Sequence, residues 1–96
     1  MVRFGAACGS GFGSSFMVEM NIQSILRELG VSDKVTVQHY DLSSASPGEA
    51  DVWFVGQDLE NSAGHLGDVR FLKSIIDMNE LREKVTQACK DKGLVG

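Results

Sequence analysis

A helical stripe lies between two strand-like runs in the first forty residues, and that order restricts the fold more than any other feature of the chain. Val18, Ile22, Ile25, Leu26 and Leu29 recur at i, i+4, i+7, i+8 and i+11, which places them on one face of a helix. Before the stripe, Val2 to Ala7 is a short apolar run ending in small residues, as in a buried central strand. After it, Lys34 to His39 alternates Val35 and Val37 with polar neighbours, as at the edge of a sheet. Ser14 or Ser15 can cap the helix and Gly30 can end it. A strand, a helix and a strand in this order imply a right-handed crossover and parallel pairing.

The same alternation continues. Asp41 to Ala50 contains the only proline and reads as a loop with one short helical turn. Val52-Trp53-Phe54-Val55 is a continuous β-prone run, expected as an interior strand. Gln57 to Gly67 reads as a loop with a short helix over Leu59 to Ala63, and Val69 to Leu72 as a fourth strand. Asp77 and Glu80 stand at capping-box spacing before a last helix that buries Met78, Leu81, Val85, Ala88 and Cys89. The expected fold is α/β, a flavodoxin-like three-layer domain with a four-stranded parallel sheet in the order 2-1-3-4. Residues 1–96 form one domain in this reading. In such sheets ligands bind beyond the carboxyl ends of the strands, near the switch point beside strand 1.

At that place stands Cys8-Gly9-Ser10-Gly11-Phe12-Gly13-Ser14-Ser15. Glycines at alternate positions let several backbone N–H groups turn into one small space. The helix N-terminus that follows favours an anion, and the three serines add hydroxyl donors. The same donors stabilise a thiolate, lowering a cysteine pKa from ~8.5 toward ~3.5–7.5. A thiolate so placed attacks phosphorus, and the donors hold the equatorial oxygens of the transferring group. This chemistry requires no metal, nucleotide or other cofactor.

Competing motifs fail on named residues. A Walker loop needs a lysine, and residues 8–15 have none. The dinucleotide fingerprint needs glycine where Ser14 stands, although Asp41, after strand 2, sits where a ribose-binding acid would be. A cysteine-dependent phosphatase needs an arginine six positions after Cys8, and that position is again Ser14. Without the arginine, hydrolysis is disfavoured, which suits a carrier that keeps its phosphoryl group until a partner takes it. Two further readings of Cys8 stay open. One is a thiol-based redox or anion-binding module; the other is a buried small side chain at a strand end.

The run Ala6-Ala7-Cys8-Gly9-Ser10-Gly11-Phe12-Gly13-Ser14-Ser15 resembles the IIB components of the bacterial phosphoenolpyruvate:sugar phosphotransferase system (PTS). Within the lactose, galactitol and ascorbate group it looks closest to the ascorbate type, whose loop reads Ala-Cys-Gly-x-Gly-x-Gly-Ser-Ser. Ala50-Asp51-Val52, Ile75-Ile76-Asp77 and Glu80-Leu81 are also similar to the family pattern. The resemblance implies that Cys8 is the phosphorylated nucleophile and that Gly9, Ser10, Gly11, Phe12, Gly13, Ser14 and Ser15 form the phosphate loop. It implies a phosphohistidine-bearing IIA component as donor and a membrane IIC component presenting the sugar.

Net charge is −4, which leaves no basic footprint for nucleic acid. No apolar run approaches the roughly 20 residues of a membrane span. Seven residues before Cys8 are too few for an export signal, so the expected place is the cytoplasm, peripheral to the membrane transporter. Cys89 at helical spacing with Leu81, Val85 and Ala88 is expected in the core, and Met17 and Met20 are expected to pack beside the first helix's apolar face. Phe12 reads either as a docking contact or as folded onto the core. His39 and His65 read as ordinary surface or strand-end histidines, with a proton relay as the alternative. The acidic segment Gln57-Asp58-Leu59-Glu60 either lies away from the phosphoryl site or marks a surface for a basic partner.

Overall fold

The computed structural model describes residues 2–8, 12–42, 45–74 and 77–94, with the backbone alone at residues 8, 12–15 and 62. The central strand, β1 (Val2–Cys8), pairs with β2 (Val35–Asp41) on one side and β3 (Val52–Gly56) on the other. Beyond β3 lies β4 (Val69–Leu72); all pairs are parallel, and the order is β2-β1-β3-β4, as the alternation of patterns implies. Helix α1 (Phe12–Leu29) connects β1 to β2. The segment after β3 is a chain of short turns around α2 (Glu60–Ala63), and α3 (Met78–Asp91) follows β4.

Two cores lie on opposite faces of the sheet. On one, Phe4, Ala6, Val37 and Phe54 meet Val18, Ile22, Ile25 and Leu26 of α1 and Leu81, Val85, Ala88 and Cys89 of α3. On the other, Ala7, Trp53 and Val55 meet Leu42, Ala45, Ala50, Ala63 and Leu66. The side-chain period of two along a strand sends Phe4 and Ala6 one way and Ala7 the other. With both faces covered, all five residues of β3 are buried, so the strand reads as a continuous apolar run.

Trp53 fills the second core, its ring tilted against Tyr40 at 4.9 Å between centroids. It fits because Gly5 of the neighbouring strand has no side chain. A Cβ there would lie 2.9 Å from the Trp53 ring and 3.1 Å from the Ala50 Cβ. The Trp53 indole Nε1 is buried and has no hydrogen-bond partner among the described residues, a cost set against the burial of the ring.

The helix ends obey local chemistry. Gly30, at φ +75°, closes α1, and the Val31 N–H then donates to the Leu26 carbonyl at 3.0 Å. At the start of α3, the Asp77 carboxylate accepts from the backbone N–H groups of Asn79 and Glu80. Glu80 does not complete the reciprocal half of the capping box. Its carboxylate reaches past Asp77 to accept from Lys73 N at 2.8 Å and Ser74 N at 3.0 Å, pinning the turn that follows β4.

Several boundaries and one packing expectation differ from the sequence reading. β1 includes Cys8, and β2 continues to Asp41, because the two strands pair along seven residues up to Cys8 and Asp41 themselves. α1 begins at Phe12, so Ser14 and Ser15 lie inside its first turn and are not its N-cap. Met17 and Met20 are exposed, with Phe16 beside them. At 100° per residue these three point away from the face carrying Val18, Ile22 and Ile25.

Three outcomes follow from this packing. Gly5→Ala is expected to lose about 1–3 kcal/mol through overpacking against Trp53, read as a lower urea midpoint at unchanged slope; an unchanged midpoint would mean that the tryptophan yields freely. Cys89 is fully buried, and burial pushes its thiol pKa up. In a Cys8→Ser chain, therefore, a thiol reagent at mildly alkaline pH should react only after denaturant is added, and rapid reaction in buffer would contradict the packing. Four carboxylates are held below their usual range: Asp51 by Arg3, Asp68 by Arg70, Glu80 by the N–H groups of Lys73 and Ser74, and Asp91 by Gln87 and then Arg70. Their stabilisation is fully present above the ordinary carboxylate pKa of about 4 and is lost as pH falls through the depressed folded values. The urea midpoint should hold between about pH 5 and 7 and drop below about pH 4, and a midpoint that rises on acidification would contradict this.

Candidate functional site

The site is set by where β1 stops. Cys8 is its last residue, at the carboxyl edge of the sheet, with β2 and β3 on either side. Because β1 leads to β2 on one side while β3 lies on the other, this edge is the topological switch point of the sheet. Helix α1 starts four residues after Cys8, so its N-terminal N–H groups lie close to that edge. Its first turn, Phe12-Gly13-Ser14-Ser15, contains no acidic residue, and Arg27 stands in the last turn. That distribution leaves the positive end of the helix dipole unopposed within its own first turn.

Of the sequence-derived phosphate loop, Phe12, Gly13, Ser14 and Ser15 fall in this first turn. Gly9, Ser10 and Gly11 lie outside the described residues. The backbone therefore brings together a strand end carrying cysteine and a helix start, the two supports that an oxyanion cradle needs.

Around them the edge is acidic. Asp41, the last residue of β2, is the register partner of Cys8. Gly56 ends β3, and the turn Gln57–Leu59 that follows keeps Asp58 exposed at the same edge, with Glu60 exposed just beyond. The acidic segment is thus on the site's side of the sheet. His39 is bound through Nδ1 to the Glu19 carboxylate at 3.0 Å and meets the Phe16 ring edge-on at 5.6 Å between centroids. These contacts tie the start of α1 to the edge strand. His65 belongs to the segment returning from β3 to β4, where Nε2 lies 3.4 Å from the Ala45 carbonyl oxygen.

Other features lie away from this edge. A groove of about 560 Å³ between α1 and the first half of β2 is lined by Gln23, Arg27, Thr36 and Gln38. Arg70 is gripped by Asp68 and Asp91, both at 2.8 Å, joining β4 to the end of α3. Among the described residues, no group of three His, Cys, Asp or Glu side chains is placed to hold a metal ion. No described helix is long and apolar enough to cross a membrane. The sequence places Asp41 after strand 2, where a ribose-binding acid would be, but its exact pairing with Cys8, 33 positions away, comes only from the register. The exposed Phe16 was legible in principle, from its place opposite the apolar face of α1.

A search of curated proteins finds no match. Among solved structures, the chain is similar to the lactose-specific IIB component domain of the phosphoenolpyruvate:carbohydrate phosphotransferase system from Streptococcus pneumoniae. That likeness has a TM-score of 0.58 at 12% identity and covers 93% of this chain and 95% of that one, and it concerns the fold alone. Neither comparison bears on the resemblance of the loop to the ascorbate type. Residues 5–89, however, match the family model described as "PTS system, Lactose/Cellobiose specific IIB subunit", and the chain belongs to this PTS IIB family.

Proposed function

We propose that residues 1–96 act as a single IIB phosphocarrier domain in which Cys8 takes a phosphoryl group from the phosphohistidine of a IIA component and gives it to a sugar held by a membrane IIC component. Membership of the PTS IIB family makes the chain a phosphotransferase component of sugar uptake. The observation that carries the finer reading is the place of Cys8, at the end of the central strand and immediately before the N-terminus of α1. An attacking group there meets the positive end of a helix and lies at the open edge of the sheet, where a protein partner can reach it.

In the first step, the Cys8 thiolate attacks phosphorus. The S–P bond forms as the P–N bond to the IIA imidazole breaks, and its electron pair stays on nitrogen. The N–H groups at the start of α1, with those of the Gly9 to Ser15 loop, offset the charge on the phosphoryl oxygens. In the second step, a sugar hydroxyl oxygen attacks phosphorus, the S–P electron pair returns to sulfur, and the hydroxyl proton leaves to a base on the IIC side. No cofactor enters either step. The chain works in the cytoplasm against the membrane component, and the spelling of the loop makes ascorbate the first sugar to test.

The test is incubation with phosphoenolpyruvate, the general phosphotransferase proteins and a cognate IIA, followed by intact-mass analysis. One phosphoryl adduct is expected on the native chain and on Cys89→Ser, and none on Cys8→Ser. If Cys8 forms a sulfenic acid or mixed disulfide readily but never an adduct, the thiol-redox reading replaces this one.

A further inference from the structure

We propose that the open edge of β2, with the stripe of α1 beside it, is a self-association surface. On it a second copy of this chain pairs its own β2 antiparallel to the first, about a two-fold axis at Val37. The inference does not rest on the phosphotransfer reading. The β2 edge runs along the side of the sheet, and pairing there leaves the carboxyl end of β1 open.

β2 stands at one end of the order β2-β1-β3-β4, so its outer side pairs with no strand among the described residues. The bond from the Val2 N–H to the Lys34 carbonyl, at 3.1 Å, sets the phase of the β1–β2 ladder. With that phase, Thr36, Gln38 and Tyr40 turn their backbone groups toward β1, and Val35, Val37 and His39 turn theirs outward. The two edges of the sheet differ. β4 has four residues, and its Arg70 is held by Asp68 and Asp91, with Lys92 also on Asp68. Charges of that kind blunt an edge. β2 has seven residues, pairs without a bulge and carries no proline, lysine or arginine. Such an edge is a template for another strand.

The stripe on α1 selects a second copy over a lone extended peptide. Phe16, Met20, Gln23 and Arg27 recur at i, i+4, i+7 and i+11, one face of the helix. Phe16 meets His39 of β2, and Gln23 and Arg27 line the groove beside Thr36 and Gln38, so this face overhangs the open edge. Phe16 is 48% exposed and Met20 51%. A two-fold axis at Val37 pairs Val35 of one copy with His39 of the other and sets the two α1 helices antiparallel, side by side. Phe16 of each copy then covers the groove at Arg27 of the other, ring against guanidinium, and Met20 lies against Gln23. A single added strand would pair with β2 yet leave the stripe in water. The seven-residue strand is about 23 Å long, and with the helix above it the patch is on the order of 500 Å² per copy. Two copies bury on the order of 1,000 Å², the lower limit for a specific interface, so the dimer is weak.

The test is sedimentation velocity of the full chain in reducing buffer, from about 5 µM to about 1 mM, with amide exchange read by fragmentation mass spectrometry at both ends of that range. A monomer–dimer equilibrium is expected, with a half-point on the order of 100 µM. Exchange at Val35, Val37 and His39 should slow roughly fivefold at the high concentration, as the monomer fraction falls. Thr36→Lys combined with Gln38→Lys changes two exposed side chains that face each other across the axis. The like charges should raise the half-point at least about tenfold while the urea midpoint holds. Met20→Lys, on the helix, is the second variant and should also raise it. A chain that stays monomeric at about 1 mM overturns the inference and leaves the edge to a partner of another kind. A dimer whose exchange at Val35, Val37 and His39 ignores concentration forms through another face and overturns it too. So does a dimer that either folded variant leaves at the parental half-point.

Discussion

Everything at the candidate site depends on β1 being hydrogen-bonded along both sides. It pairs with β2 through seven residues and with β3 through four, so neither its register nor its end can slide without breaking a ladder. A one-residue slip would also turn Phe4 and Ala6 out of one core and Ala7 out of the other. The strand that carries Cys8 is thus the most firmly held part of the sheet. The backbone of Cys8 shares that rigidity as the last residue of the strand.

The second constraint is the short passage from β1 to α1. Three residues separate Cys8 from Phe12, and the buried face of α1, from Val18 to Leu26, fixes the helix against the sheet. The helix cannot retreat from the edge without giving up that core. Arg82 of α3 adds a bond to Glu28 of α1, but at this exposure such a pair is worth tenths of a kcal/mol beside the buried apolar surface. Hydrophobic packing, then, decides where the positive end of the helix dipole points. The acids Asp41, Asp58 and Glu60 lie at or just beyond the same edge.

Most of the architecture was legible because its signals are local. The stripe of α1, the continuous apolar run of β3, the stop at Gly30 and the cap at Asp77 each arise from a few neighbouring residues. The strand order followed from the alternation of elements and the handedness of crossovers. What misled was equally local. Ser14 and Ser15 have the chemistry of caps, yet the helix starts ahead of them. Glu80 has capping-box spacing, yet it serves the turn after β4. Met17 and Met20 adjoin apolar residues in the sequence but face the opposite side of the helix. In each case composition named the right residue type, and geometry gave it a different partner.

The sequence by itself determined the residue types at the candidate site: a cysteine in a glycine-serine run between a strand and a helix, with no lysine or arginine among residues 8–15. Those are statements about residue types and short spacings, which a chain carries whatever its neighbours do. The charge environment of the cysteine was decided only in three dimensions. Asp41 stands beside Cys8 because β2 and β1 pair in one register, and Gly5 is required because Trp53 from a third strand packs over it. Contacts between strands depend on long-range pairing energy, and no spacing along the chain encodes that directly.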